Sequence, residues 1–161
     1  TARGPFNILE QSLEIDLFDE NTPNAWKLGH EFLPIDQDVF KENDKTRLLV
    51  KQYRNGGEQL KLIEEACHKL HQYVYEQVRA FISDNRLMVL VGGEHSISQG
   101  SIKAHLEQFP EMNVLQLDAH MDLRKAYEGL HHSHASVFYN VMQDLPLKGL
   151  YQLGVRDFCN Q

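Results

Sequence analysis

Apolar positions along the chain alternate between helix-like and strand-like spacing. Over residues 59–83 the apolar side chains recur with the helical period, with one break at Gln77, which predicts a long amphipathic helix. Residues 87–91 form a continuous apolar run, which is typical of a parallel strand covered on both faces. Two further strands are predicted over residues 114–117 and 150–155.

Shorter helices are predicted before and between these strands. Residues 6–15 have a helical pattern, and residues 96–109 form a second helix that Pro110 ends. A third short helix is expected over residues 135–143. The order strand, helix, strand, helix, strand predicts an α/β protein with a mainly parallel sheet.

The polar stretch over residues 19–57 lacks a clear period and contains Pro23, Pro34 and Gly56-Gly57. It is predicted to be rich in loops, with a short strand near residues 31–33.

Composition narrows the class of protein. A chain of 161 residues with 42% hydrophobic and 24% charged residues fits a single soluble domain. The net charge of −7, without a basic patch, argues against a nucleic-acid partner. No apolar run is long enough to span a membrane and no signal peptide is evident, so we expect no membrane partner. Cys67 and Cys159 form no CxxC motif and are interpreted as reduced thiols of a cytoplasmic protein.

Three potential metal ligands follow the strand at 114–117. Asp118, His120 and Asp122 alternate along an extended chain, so their side chains are expected on one side. Gly92-Gly93-Glu94-His95 similarly follows the apolar run at 87–91. Because the carboxyl ends of parallel strands meet at one edge of a sheet, His95 is expected to join the three.

Mixed carboxylate and imidazole ligands favour Mn, Fe, Co, Ni or Zn over Ca or Mg. Asp118, between His120 and Asp122, is the natural bridge between two such ions, which together would activate a water for hydrolysis. The alternative is a polar loop after a strand, without metal. Glu94 is expected to orient a ligand or to hold the start of the following helix.

The run His131-His132-Ser133-His134 is either an exposed polar loop or the source of a proton-shuttling imidazole. Tyr127 and Glu128 lie in the same loop, where they either contact substrate or pack the loop. The remaining histidines are predicted to be structural; they are His30, His68, His71 and His105.

A serine-hydrolase site is the alternative to the metal site. The segment Ser96-Ile97-Ser98-Gln99-Gly100 lacks the first glycine of a nucleophile elbow, and Ser98 falls inside a predicted helix. The metal site is therefore preferred.

The chain resembles the ureohydrolases, the arginase and agmatinase family, in several motifs. Gly92-Gly93-Glu94-His95, Asp118-Ala119-His120-Met121-Asp122 and Ser133-His134-Ala135 are similar to the first three signatures of that family. Residues 114–129 are closer to bacterial agmatinases than to arginases. The resemblance covers nearly the whole chain and implies a three-layer α/β/α fold with a mainly parallel sheet.

The resemblance also implies roles for these residues. His95 and Asp122 would bind one Mn²⁺, His120 the other, and Asp118 both, giving two ions per complete subunit. His134 would be the catalytic acid/base for the departing amine. The reaction implied is hydrolysis of a small guanidinium substrate to urea and an amine. The segment 127–133 replaces the Asn- and His-rich segment with which arginases bind a carboxylate, which favours agmatine, giving putrescine, over arginine.

One departure from the family pattern concerns the C-terminal region. The last signature, with two further metal aspartates, is expected well after Arg156, and Asp157 does not stand in that pattern. Residues 1–161 are therefore expected to be the N-terminal part of one ureohydrolase domain, inactive alone. The alternatives are arginase, guanidinobutyrase, formiminoglutamate hydrolase, or a truncated non-catalytic homologue that acts in binding or assembly. The family also implies a homo-oligomer, a trimer or hexamer, in the cytoplasm.

Overall fold

The structure is a computed structural model that describes residues 3–16, 18–29, 31–34, 36–82 and 86–157. His30 and Cys159, which figure among the sequence-based predictions, lie outside these ranges. In the described ranges the helices and strands are, in chain order, α1 (Gly4–Ser12), α2 (Gln37–Arg54), α3 (Leu60–Ile82), α4 (Ser98–Gln108), β1 (Val114–Leu117), α5 (Val137–Asp144) and β2 (Leu150–Leu153). Short 3₁₀ turns at Ala25–Leu28, His95–Ile97 and His134–Ser136 complete the regular structure of these ranges.

Helix α2 corrects the expectation of a loop-rich region between residues 19 and 57. The Asp36 carboxylate caps this helix by accepting a hydrogen bond from the N–H of Asp38 at 2.9 Å. The half-buried residues of α2 recur with the helical period. Two of them, Asn43 and Thr46, are polar, so the apolar residues alone do not show this period in the sequence. The short strand expected at residues 31–33 is also wrong, because this segment has no regular structure.

The main core lies between α3 and α4, which were both predicted. Val74, Val78 and Ala104 are almost fully buried there. The buried Gly100 lets α4 approach the backbone of α3, because a Cβ at this position would overlap the carbonyl of His71. A second core forms where α5 packs against the sheet, through Val137, Phe138 and Val141.

The strands β1 and β2 pair in parallel, with Val114 opposite Leu150 and Leu117 opposite Leu153. This pairing confirms the predicted parallel sheet. The side chains of Val114 and Leu150 pack against α5, which forms a helical layer on one face. On the other face of the described sheet, Leu117 and Leu153 are exposed.

The predicted strand at residues 87–91 is not formed. Residues 86–92 have no regular structure, and Leu87 is 92% exposed. An apolar run becomes a strand only when a neighbouring strand accepts its backbone hydrogen bonds. Here a cleft of about 580 Å³ lies between Leu90 and β1 in place of that pairing. Among the described residues, no helix is long and apolar enough to cross a membrane.

Candidate metal centre

The strand β1 ends at a tight turn that carries three of the predicted ligands. The Asp118 carboxylate accepts a hydrogen bond from the N–H of His120 at 2.9 Å, which folds the chain back on itself. This hydrogen bond holds the pKa of the Asp118 carboxyl below its usual value, while partial burial works in the opposite direction. Asp118 is therefore ionised near neutral pH, as a metal ligand must be.

His95 comes from a different part of the chain and meets the same turn. It begins the 3₁₀ turn that leads into α4, and its ring packs edge-on against Phe138 of α5 at a centroid distance of 5.6 Å. Its Nδ1 atom lies 2.7 Å from Oδ2 of Asp122 and 3.7 Å from Oδ2 of Asp118. Within the described ranges, these three residues form the one group whose ligand atoms all lie within 4.8 Å of one another.

Asp118 faces two histidines at once. Its Oδ2 atom lies 3.7 Å from Nδ1 of His95, whereas its Oδ1 atom lies 3.5 Å from Nδ1 of His120. A carboxylate in this position offers one oxygen atom on the side of each imidazole. The donor set of imidazole nitrogen and carboxylate oxygen suits a divalent metal of borderline hardness, so these residues fit the manganese that the family resemblance implies.

Asp122 adopts a backbone conformation that few residues with side chains accept. Its φ is 52°, in the left-handed region, which aspartate tolerates better than most residues. Its carbonyl oxygen accepts hydrogen bonds from the N–H groups of Phe138 at 3.0 Å and Tyr139 at 3.3 Å. The first turn of α5 thus holds the Asp122 backbone in place, and its side chain is only 8% exposed.

Two glutamines of the sheet donate side-chain hydrogen bonds to residues of this turn. Gln116 of β1 is 5% exposed, and its amide nitrogen donates to the carbonyl of His120 at 3.2 Å and to Oδ2 of Asp122 at 3.4 Å. Its register partner Gln152 donates to Oε1 of Gln116 at 2.5 Å and to the carbonyl of Met121 at 2.7 Å. Groups that orient ligands in this way stabilise a metal site without touching the ion.

His120 has a second carboxylate partner that was not expected. Its Nε2 atom lies 3.3 Å from Oδ2 of Asp157, while its Nδ1 atom faces Asp118. The N–H of Asp157 donates to the carbonyl of Ala119 at 3.1 Å, which keeps the end of β2 beside the turn. An imidazole with one nitrogen towards a metal and the other towards a carboxylate is the usual arrangement of histidine ligands.

Glu94 fulfils the expected role at the helix start. Its carboxylate accepts hydrogen bonds from both the N–H and the hydroxyl of Ser96. Its other oxygen lies 3.8 Å from Nδ1 of His134, whose ring is mostly exposed and packs edge-on against Tyr127 at a centroid distance of 5.5 Å. The structure therefore brings His134 towards the segment that carries His95, whereas His131 and His132 turn to Glu64 on α3.

Glu128 forms an ion pair with a residue outside the ligand cluster. Its carboxylate lies 2.6 Å from the guanidinium of Arg54 on α2. The cleft beside the site is lined by Glu94, His95, Gln116 and Asp118, among others, and Tyr127 and Glu128 are not in its lining. A direct contact of these two residues with substrate thus stays a prediction. Ser98, the alternative nucleophile, begins α4 as expected and is not at a sharp turn.

Comparison with known proteins identifies the family of the chain. Residues 2–161 match the Arginase family, which is nearly the entire chain. The chain belongs to the arginase family. Its resemblance to the ureohydrolases is thereby confirmed.

Relatives within the arginase family differ in their named substrates. An N(1)-aminopropylagmatine ureohydrolase of Thermus thermophilus is 29% identical over 103 residues, which are 63% of this chain and 34% of the relative. Arginase 1, mitochondrial, of Oryza sativa subsp. indica is 36% identical over 95 residues, which are 58% of this chain and 28% of the relative. The chain thus spans about a third of the length of these arginase-family relatives.

The fold agrees with family membership. The crystal structure of a putative agmatinase from Clostridium difficile matches 98% of this chain and 49% of that chain, with a TM-score of 0.67 and 17% identity. The expected arginase-like α/β fold is therefore confirmed. This arginase-family chain spans about half of the solved protein.

Sequence reasoning missed Gln116, Gln152 and Asp157. A glutamine at the middle of each of two short apolar strands is a signal that could have indicated the first two, since a buried amide needs partners. Asp157 gave no such signal, because its approach to His120 depends on the pairing of β1 with β2.

Proposed function

We propose that the full-length protein hydrolyses a guanidinium substrate to urea and an amine in a manganese-dependent reaction. The observation that carries this proposal is the position of Asp118 between His95 and His120, with one carboxylate oxygen towards each imidazole. Family membership supports the reaction class, since the relatives named above are a ureohydrolase and an arginase.

His95, Asp118, His120 and Asp122 would hold two Mn²⁺ ions, with Asp118 shared between them. The bound ions would supply Lewis-acid activation of water near neutral pH. The chain's own contribution is to keep these four groups at fixed positions. Phe138 and Tyr139 hold the Asp122 backbone, Gln116 supports the turn, and Asp157 orients the His120 ring.

His134 is the proposed acid/base group. Its Nδ1 atom faces the Glu94 carboxylate at 3.8 Å, which leaves Nε2 free to give a proton to the departing amine. Tyr127 packs on the ring and limits its rotation.

Agmatine is the substrate we propose, with arginine, guanidinobutyrate and formiminoglutamate as the alternatives. The segment over residues 127–133 reads Tyr-Glu-Gly-Leu-His-His-Ser, in place of the segment rich in asparagine and histidine that binds a carboxylate in arginases. Arg54 neutralises Glu128 in this structure, so repulsion of a carboxylate by Glu128 requires that the Arg54 pair opens. We also propose a homo-oligomer, a trimer or hexamer, in the cytoplasm.

The decisive experiment measures urea release by the full-length protein with manganese. Agmatine, arginine, guanidinobutyrate and formiminoglutamate are compared by kcat/KM, with formamide release monitored for the last because its hydrolysis yields no urea. We expect agmatine to have the highest value. A clear advantage for arginine would overturn the substrate, and no turnover of any of the four would favour a non-catalytic binding or assembly protein.

A further inference from the structure

Residues 123–134, here called the histidine loop, connect the metal turn to His134. At its middle, Tyr127 and Leu130 exchange backbone hydrogen bonds of 3.0 and 2.9 Å around Glu128 and Gly129. Both central residues have positive φ, 51° and 79°, which is the geometry of a type I′ turn. On one side this turn is attached to α2 through the ion pair of Glu128 with Arg54.

Glu64 of α3 makes a second attachment nearer to His134. Its Oε1 atom accepts a hydrogen bond from the backbone N–H of His131 at 2.8 Å. Its Oε2 atom lies 3.5 Å from Nε2 of His132, and the Glu64 side chain is only 22% exposed. A hydrogen bond from an amide to a partly buried carboxylate is stronger than one between neutral groups.

The backbone of His131 is also held by a second helix. The carbonyl of His131 accepts a hydrogen bond from the side-chain amide of Asn140 on α5 at 3.0 Å. The two peptide groups that flank the Cα of His131 are therefore fixed, one by α3 through its N–H and the next by α5 through its C=O. His134 follows three residues later, so the hydrogen bonds of the His131 backbone also restrict where the His134 ring can lie.

We infer that Glu64 is a positioning residue for His134, an assignment that rests on the proposed function. Glu64 touches neither the metal ligands nor the cleft in the described structure. Glu64 acts through the histidine loop. Without its carboxylate the N–H of His131 would donate to water instead, and the loop would be free to move. Displacement of a catalytic group by about 1 Å can cost about 100-fold in rate.

Three variants of the full-length protein separate the hydrogen bond from the charge and from general helix effects. Glu64→Ala removes the acceptor, whereas Glu64→Gln retains an oxygen that can accept from the His131 N–H. Glu65→Ala is the matched control, since Glu65 is the neighbouring residue on α3, is 53% exposed and pairs only loosely with Lys61 at 4.0 Å.

For Glu64→Ala we expect kcat to fall about tenfold, with KM within about twofold and the bound manganese unchanged. Glu64→Gln should restore most of kcat, and Glu65→Ala should match the wild type. A kcat of Glu64→Ala equal to that of Glu65→Ala, or a loss confined to KM, would overturn the inference. Lack of any wild-type turnover would instead count against the proposed function.

Hydrogen–deuterium exchange of the same proteins tests the attachment without activity. Glu64→Ala should raise amide exchange at least about fivefold over residues 131–134 and leave residues 114–117 unchanged, because loop opening is local. Glu64→Gln and Glu65→Ala should retain wild-type exchange in both segments. Unchanged exchange of the histidine loop in Glu64→Ala would contradict the positioning role whatever the urea assay gives.

Discussion

Nδ1 of His95 lies 2.7 Å from Oδ2 of Asp122, although 27 residues separate them in the chain. His95 stands at the entry to α4, whereas Asp122 is held by the first turn of α5. The packing of these two helices therefore decides whether an acid and a base from different segments meet. The first prediction concerns metal content, because Nδ1 of His95 and Oδ2 of Asp122 would bind the same cation.

We expect the full-length protein to bind two Mn²⁺ per subunit, and His95→Ala to bind about one ion less. The loss follows because His95 supplies the imidazole nitrogen of the group that it forms with Asp118 and Asp122. Elemental analysis after dialysis and the electron paramagnetic resonance of bound manganese give the count. His105→Ala, a histidine of α4 bonded to the carbonyl of Ser101, is the control and should retain both ions.

Asp118→Asn is expected to lower kcat more than Asp122→Asn when manganese is saturating. Asp118 faces both His95 and His120, so the loss of its charge affects two positions, while Asp122 meets only one of these histidines. Asparagine tolerates the left-handed conformation of Asp122, so the fold should survive that change. Steady-state assays over a manganese titration make the comparison, and equal residual rates would argue against Asp118 as the bridge.

His134→Ala should reduce kcat by about 10²–10⁴-fold and leave the manganese content nearly unchanged. The reason is that His134 lies beside Glu94 and Tyr127, outside the ligand group of His95, Asp118 and Asp122. His131→Ala is the matched control, because its ring is half exposed and its backbone hydrogen bonds remain. Metal analysis is run beside the urea assay, and loss of manganese from His134→Ala would make this residue a ligand.

Acid should destabilise the protein through His71. Burial lowers the pKa of His71 from 6.5 to about 4, with a further contribution from the neighbouring His132, whose ring packs edge-on at 4.9 Å. Between these values the unfolded chain binds a proton that the folded chain excludes. The free energy of unfolding therefore falls as pH decreases from 6.5 to 4, by at most about 1.4 kcal/mol per pH unit from this group.

The test compares thermal unfolding at pH 7 and pH 5 for the wild type, His71→Phe and His68→Phe. His71→Phe removes the titrating group at similar volume, so its melting temperature should fall less between the two pH values. His68 is exposed on the same helix and is the smallest of the three influences that lower the pKa of His71, so its substitution should retain most of the wild-type pH dependence. A pH dependence of His71→Phe identical to that of the wild type would exclude His71 as the source.

The sequence by itself determined most helices and the local cluster of potential ligands. Asp118, His120 and Asp122 are neighbours in the chain, but the chain bends at residues 119–120 and Asp122 has a φ of 52°, so the extended alternation predicted there is not formed. Helix α3 was predictable because its buried positions, His71 apart, are apolar or aromatic at helical spacing, whereas in α2 polar residues occupy half-buried positions and hide the period. The local sequence pattern therefore predicts a helix correctly where the buried residues are also the hydrophobic ones.

Tertiary structure alone decided the contacts between distant segments. Residues 87–91 have the composition of a strand, yet a strand requires a hydrogen-bonding neighbour, and β1 lies across a cleft from them. The approach of Asp157 to His120, and of Glu64 to His131, depends on how β2 pairs with β1 and how α3 packs. No local spacing encodes such contacts, because they arise from the relative placement of elements whose cores are formed by other residues.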